Sequence, residues 1–442
     1  MIPEMMRFSQ TIIRLATALI PVKSVRKRIR RRLLADARDA RVHALVPVVR
    51  ARYEQHACAC REKLARGERL KVAFLVCDAS MFSGESVYAR MAADLRFDCF
   101  IAVAPRVTRG DEFLRETLAK TTGSLRERYG DAVQALYVPD SKVSVPIDAD
   151  IVFSTVVYED QTLPDYTTER LSERSLVAVL YYGYGGLFIS NEKKTPFLPN
   201  IVLSWRYFVS NEATRRMNVA KNPLLAENAV TVGYAKMDRL ASVPRRETAG
   251  KTILICPHHT LEKIPGELAL STFLKNADLF QRLPKLFPEI TFVFRPHPLL
   301  FPRLATAKWW GPERTAAYER EMEAHPNVTF QRGGDYFDAF RNSDALIHDC
   351  GSFLAEYFYT GCPQCYLLES DATLDEQFLP FARTLAEHVR KAYTDKDVIE
   401  FIRDVAAGRD PDRESRTEFA AKEVCVNHPD ATSAVIATLG FG

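Results

Sequence analysis

Long apolar runs are missing from this chain of 442 residues. No stretch approaches ~18 uninterrupted apolar residues, so a membrane-crossing helix is not expected. Zinc fingerprints are missing too. Cys58-Ala59-Cys60 has the wrong spacing for a knuckle, and Cys362 and Cys365 fall between a helix and a strand; a zinc site at His258, His259, His297 and Asp349 is another reading, ranked low because no HxxxH lies on a helix. No metal and no cofactor are therefore expected. The nine cysteines are scattered, several on apolar runs (Cys77, Cys99, Cys256), which excludes a disulfide framework and implies a reducing compartment. No repeat of solenoid period is visible. Acidic residues are almost absent from positions 1–34, where Glu4 stands alone against nine Lys/Arg: Arg7, Arg14, Lys23, Arg26, Lys27, Arg28, Arg30, Arg31 and Arg32.

That local imbalance carries all of the positive surplus. The whole chain is +4, with 60 basic and 56 acidic side chains, so the residues after 34 carry −4. A short apolar stretch, Phe8 to Ile20, precedes the dense part of the cluster. In a secretory signal the charge comes first and a cleavage site follows, so export is not expected. Apolar residues at the acyl boundary with Arg/Lys on anionic headgroups make residues 1–34 a membrane-surface anchor. A solvated or packed basic helix is the plain alternative. A nucleic-acid arm would need interleaved aromatics and a basic body, and neither is present. The expected location is cytoplasmic, at the inner face of the cell membrane.

What fills the rest is an ordinary globular composition, 47% hydrophobic and 26% charged, at a length that calls for two domains. Short apolar runs alternate with helical stretches from Leu70 onward. Strands are expected at 71–77, 99–104, 135–138, 150–155, 176–183 and 229–234, with helices over 83–95 and from Trp205 to Arg216. After the polar Val243 to Gly250 linker the pattern restarts. Strands are expected at 252–257, 290–296, 327–331, 345–348 and 364–368. Helices are expected over Ser271–Leu286, Glu313–Glu323, Tyr336–Arg341 and Asp397–Ala407. Such alternation implies parallel βαβ units. The expected domains are a helical basic segment (1–66), an acceptor domain (67–243), a nucleotide-donor domain (250–425) and a tail (426–442).

Three strands in the second half end abruptly in polar residues. CPHHT closes one at 256–260, FRPHP another at 294–298, and His348-Asp349-Cys350-Gly351-Ser352 leads a third into a helix carrying Glu356. Ligands of parallel sheets sit beyond the carboxyl ends of the strands. Ser352 and the N–H groups after Gly351 suit a phosphate, although Ser is also a common helix cap. Glu356 lies one turn beyond Ser352 and could accept both hydroxyls of a ribose; its neighbours Leu354, Ala355, Tyr357 and Phe358 argue against a solvated acid. Arg295 suits a phosphate. His258 and His259 should point different ways, one into the cleft and one holding the loop. A near-neutral histidine can act as general base.

In order and content these motifs resemble the CDP-glycerol glycerophosphotransferase family, the teichoic-acid polymerase and primase group also found in capsule and lipopolysaccharide clusters. The resemblance runs from about residue 70 to 420. It rests on TILICPHHT, Ser271-Thr272-Phe273, FVFRPHPLL and SDALIHDCGSFLAEYFYTGCP, with KVAFLVCDASMFSGESVYARM, ADIVFSTVVYEDQTLPDY, Tyr182-Gly183-Tyr184 and VTVGYAKMDRL in the first half. It implies an α/β protein of the GT-B class, with two Rossmann-like domains facing across a cleft, here preceded by a basic amphipathic helical segment. It further implies transfer of a polyol phosphate, glycerol phosphate first, from a CDP-activated donor to a hydroxyl of a lipid-linked or polysaccharide acceptor, with release of CMP. By the resemblance His258 and His297 would be the catalytic pair, and Asp349, Gly351, Ser352 and Glu356 would hold the CDP-polyol; Arg295, by its charge, and His259, by its place in the loop, are added to that binding set. The turn Ser83-Gly84-Glu85-Ser86 would face the acceptor. Cys350-Gly351-Ser352 stands where a tyrosine-serine-serine run is common, so one hydroxyl is missing. A glycosyltransferase using a UDP- or CMP-sugar, an epimerase of the same fold and a non-catalytic scaffold are the competing readings.

Overall fold

The computed structural model describes residues 12–441 apart from 14, 19, 157, 193, 247–249 and 265–266. Expectations placed on 1–11, on Arg14 and on the middle of the 243–250 linker lie outside the described residues.

A helix of 43 residues, Lys23–Ala65, comes first. Its two halves differ. From Val42 to Cys60 one stripe is buried (Val42, Leu45, Val46, Val49, Tyr53, Ala57, Cys60), at the three- and four-residue steps that put side chains on one helix face. The Tyr53 hydroxyl donates to the Leu203 carbonyl at 2.8 Å, and the Lys63 ammonium meets Asp150 at 2.6 Å. No residue from Lys23 to Arg41 is buried. At 1.5 Å per residue that half extends for roughly 28 Å.

The strands are β1 (Leu70–Val76), β2 (Phe97–Val103), β3 (Val133–Ala135), β4 (Tyr137–Val138), β5 (Val143–Ser144), β6 (Ile151–Ser154), β7 (Leu176–Leu180), β8 (Arg206–Val209), β9 (Ala229–Thr231), β10 (Thr252–Cys256), β11 (Thr291–Phe294), β12 (Val328–Phe330), β13 (Ala345–His348), β14 (Gln364–Leu367) and β15 (Arg390–Ala392). One sheet has the order β3-β2-β1-β6-β7-β8-β9, the other β12-β11-β10-β13-β14-β15, and β4 with β5 makes a small antiparallel ladder. In both large sheets the order reverses beside the first strand, as in doubly wound nucleotide-binding sheets. Strands β6, β7, β13 and β14 are buried at every position, because helices cover both faces.

Two compact units result, and the chain passes between them more than once. Among the described residues, one holds 12–79, 95–179 and 196–207; the other holds 80–94, 180–195 and 208–441. The turn at Ser83-Gly84-Glu85-Ser86, expected in the acceptor domain, thus belongs to the unit that carries the histidine motifs. The 426–442 segment is no loose tail. Helix Ala431–Ala437 buries Val435, and Leu439 and Phe441 beyond it are buried too. Asp238 accepts from the Ala431 and Thr432 N–H groups at its start.

The helix expected from Trp205 to Arg216 is corrected. Arg206–Val209 is strand β8, with Tyr207, Phe208 and Val209 buried, and the helix is Glu212–Lys221. Asn211 makes the boundary: its side-chain oxygen caps the Thr214 N–H at 2.8 Å.

Candidate functional site

Strand register brings the three motifs together. In the second sheet β10 lies between β11 and β13, with Ile255 opposite Phe294 and Cys256 opposite His348. The loops leaving these strands therefore share one sheet edge. The Arg295 N–H donates to the Ile255 carbonyl at 2.8 Å and the His297 N–H to Pro257 at 3.0 Å, tying loop to loop.

Three imidazoles gather there. Ring centroids are 4.4 Å apart for His258 and His259, 5.4 Å for His258 and His297, and 3.9 Å for His259 and His297. The expectation that adjacent histidines diverge is corrected: both rings turn toward His297. The turn is fixed by side chains behind it. Asp349, fully buried, accepts from the His258 N–H at 2.5 Å and from the Thr272 N–H and hydroxyl at 2.5 and 2.9 Å. Ser271 donates to the His258 carbonyl at 2.7 Å. Thr260 Oγ1 accepts from the Leu270 N–H at 2.9 Å and lies 2.8 Å from His258 Nδ1. Asp349 therefore anchors the histidine loop from beneath and presents no free carboxylate to a ligand.

Burial is the first cause of low basicity in all three rings. It pushes His258 well below the ordinary histidine value, with further depression from His259, His297 and Arg303. Burial with His297 and Arg303 takes His259 to about 3, and burial with Arg303 takes His297 to about 4. All three rings are neutral near pH 7. Arg303, on helix Leu300–Leu304, donates to the His259 carbonyl at 3.1 Å. Sequence reading missed it; an Arg six residues after His297, on the helix that this loop enters, was the available signal.

Two expected ligand groups are committed elsewhere. Arg295 is 9% exposed, and its guanidinium donates to Gln331 Oε1 (3.0 Å) and the carbonyls of Gly333 (3.1 Å) and Gly334. It holds that loop, which leaves Arg303 as the exposed cation beside the histidines. Glu356 is 1% exposed. Its Oε2 accepts from the Tyr336 hydroxyl at 2.6 Å, and its Oε1 faces the Tyr234 hydroxyl at 3.2 Å and the Lys236 ammonium at 3.7 Å. The single Tyr234 proton has a closer acceptor in the Tyr182 carbonyl at 2.8 Å. In this arrangement the carboxylate offers no face to a ribose.

The strand–turn–helix itself forms as expected, in a shorter version. Helix Phe353–Glu356 passes into a 3₁₀ turn, Tyr357–Thr360, closed by Gly361 at φ +71°. Ser352 is half-buried, and its hydroxyl makes no capping bond. Gly351 is required by packing: a Cβ there would lie 2.7 Å from the Phe188 ring. Cys350, in place of a hydroxyl residue, is buried with its thiol 3.1 Å from the Cys256 carbonyl.

A cavity of about 1110 Å³ in the same unit is lined by Met217, Leu379, Phe381, Phe419, His388 and others, and none of the eight expected site residues lines it. His388 stacks on Phe419 at 4.1 Å there, and Glu414, Glu418, Lys422 and Glu423 line the same cavity.

Acid should loosen this region. His348 is fully buried against Gln364 (2.9 Å), and burial lowers it to about 4. Its neutral form contributes stability that is in place above pH 6.5 and is lost as pH falls toward 4, on the order of 3 kcal/mol. His258, His259 and His297 act in the same direction. Asp349 opposes them: burial raises it to about 6, so its penalty is relieved below that pH. Glu159, in the other unit, opposes them too, since burial raises it to about 7; four imidazoles outweigh the two carboxyls. The urea midpoint is expected to fall between pH 7 and pH 4.5, and to fall less in His348→Asn; a midpoint that rose on acidification would contradict this balance.

No protein-family model matches the chain, and no curated protein does. Solved structures do. The UDP-GlcNAc 2-epimerase of Neisseria meningitidis bound to UDP-GlcNAc aligns over 85% of this chain and 100% of its own, at 14% identity and a TM-score of 0.53. The wall teichoic acid polymerase TagF aligns over 84% and 88%, at 12% identity and a TM-score of 0.56. The fold is GT-B. The S. aureus MnaA–UDP structure, at 12% identity, gives the same GT-B match over 84% of this chain and 98% of its own, with a TM-score of 0.51.

Proposed function

We propose that the protein is a transferase of cell-surface glycan synthesis that moves a polyol phosphate, glycerol phosphate first, from a CDP-activated donor to an acceptor hydroxyl. The observation that carries this reading is the convergence of His258, His259 and His297 beside Arg303 at the carboxyl edge of β10 and β11. In the proposed step an acceptor oxygen bonds to the β-phosphorus, its proton passes to His258, and the bond from that phosphorus to the bridging oxygen breaks, leaving CMP. His297, Arg303 and the N–H groups at Ser352 oppose the charge that grows on CMP. The Leu299 N–H donates to His297 Nδ1 at 3.1 Å, which puts the proton of the neutral ring on Nε2, ready to donate. TagF, a teichoic acid polymerase on the same fold, is consistent with this chemistry.

The nucleotide product tests it. Incubation with CDP-glycerol, CDP-ribitol, UDP-sugars and CMP-sugars should yield CMP from a CDP-polyol; UDP release, or no acceptor dependence, would sink the proposal. The second reading, a glycosyltransferase using a UDP- or CMP-sugar, draws on Cys350 standing where a hydroxyl is expected.

The acceptor is proposed to be lipid-linked or polysaccharide, met at an anionic membrane surface. Among the described residues no helix is long and apolar enough to cross a membrane. Ile12 and Leu15 are exposed, and seven of the nine basic residues lie on the unburied half of Lys23–Ala65. Deleting residues 1–34 is expected to abolish co-sedimentation with phosphatidylglycerol vesicles at low salt; unchanged binding would remove the anchor.

A further inference from the structure

We propose that His258, His259 and His297 form a binding site for a transition-metal dication of the Zn²⁺ class, with a fourth coordination position open. Each ring offers one nitrogen, and the three nitrogens lie within 4.8 Å of one another. A tetrahedral ion with bonds near 2.1 Å needs donors about 3.4 Å apart. Closing the set therefore takes shifts of roughly 1 Å in half-buried side chains on two loops. An all-imidazole set selects zinc, cobalt, nickel or copper over magnesium and calcium, which take oxygen ligands. Three protein ligands with one position free is the pattern of reactive zinc sites, whereas structural sites are closed by four.

The surroundings support ligation. His258 Nδ1 lies 2.8 Å from Thr260 Oγ1, so a ring bound through Nε2 would donate its remaining proton to that hydroxyl. His259 Nδ1 is buried and has no hydrogen-bond partner. His297 would bind through Nε2 by moving its proton to Nδ1, and the exposed Leu299 N–H would turn to water. Neutral imidazoles release no proton on binding. Arg303, at the His259 carbonyl, adds a positive charge that favours an anion, a hydroxide or a phosphate oxygen, as fourth ligand. Ligand spacing in the sequence ranked this site low, because the third histidine arrives from a different strand and leaves no local fingerprint.

The site does not depend on the proposed transfer. An ion there occupies the lone pair that a proton-accepting His258 needs, so the metal-bound and base-competent states exclude each other. The test is titration of the full-length, chelator-treated protein with Co²⁺, followed by visible absorption, and with Zn²⁺ by calorimetry. One ion per chain with the intense bands of tetrahedral cobalt is expected. Affinity should fall more than about tenfold in both His259→Ala and His297→Ala, and stay unchanged in His43→Ala, an exposed histidine outside the cluster. Thermal melts confirm that the variants are folded, and either one alone decides the case. Octahedral cobalt, or equal affinity in wild type and the folded variants, would overturn the proposal.

Discussion

His258→Ala is expected to lower CMP release from CDP-glycerol by about 10²–10⁴-fold, the usual worth of a positioned proton acceptor. The ring is well placed for that role. Asp349 holds its backbone N–H at 2.5 Å, Ser271 holds its carbonyl at 2.7 Å and Thr260 lies 2.8 Å from its Nδ1, leaving Nε2 to face the cluster. Burial first, then the neighbouring rings and Arg303, keep it neutral and able to take a proton. A low basicity makes a weak base in the empty site. An incoming diphosphate would offset Arg303, the smallest of these causes, and shift the ring upward in part, while burial, the largest, persists. His258→Asn separates packing from proton transfer, since it keeps a polar side chain but cannot accept the proton; it should be as inactive as the alanine variant. His297→Ala should also lower kcat, through loss of a donor to the departing phosphate. Chromatographic measurement of CMP at saturating donor reads both effects, and normal rates in His258→Ala and His297→Ala together would refute the assignment.

Arg416→Ala is expected to cost about 3–5 kcal/mol of stability. Its side chain is 2% exposed. One guanidinium nitrogen donates to Asp410 Oδ1 at 2.9 Å, and the other reaches Asp410 Oδ2 and the Gly361 carbonyl, the latter at 3.1 Å. Removing it strands Asp410, 18% exposed, and the carbonyl that ends the 353–360 helical stretch. Arg416→Lys should recover only part of the loss, because an ammonium cannot reproduce the two-pronged fit. Urea denaturation monitored by circular dichroism measures the difference; a loss below about 1 kcal/mol for the alanine variant would show that the pair is not worth its burial.

Most strands were legible because a parallel strand covered on both faces must be apolar throughout, as in TILIC and ALIH. Strand β8 was misread since Trp205 to Val209 and the helix after Asn211 form one unbroken stretch of mixed residues. Strand β15, Arg390–Ala392, was missed because three residues carry no pattern. The histidines were singled out from their strand ends, and the structure brings their rings together, whereas the uses of Arg295 and Glu356 were not foreseen. Each is a charged residue whose partners, Gly333 and Gly334 in one case and Tyr234, Lys236 and Tyr336 in the other, come from distant parts of the chain.

By itself the sequence determined the alternation of apolar strands and helices, the polar strand ends and the basic start, because each depends only on neighbouring residues and their period. Tertiary structure alone decided which polar groups stay available. Strand order β11-β10-β13 gathers the three imidazoles at one edge, and burial keeps them uncharged. The same packing encloses Asp349, Arg295 and Glu356, whose charges must find partners inside the fold once water is excluded.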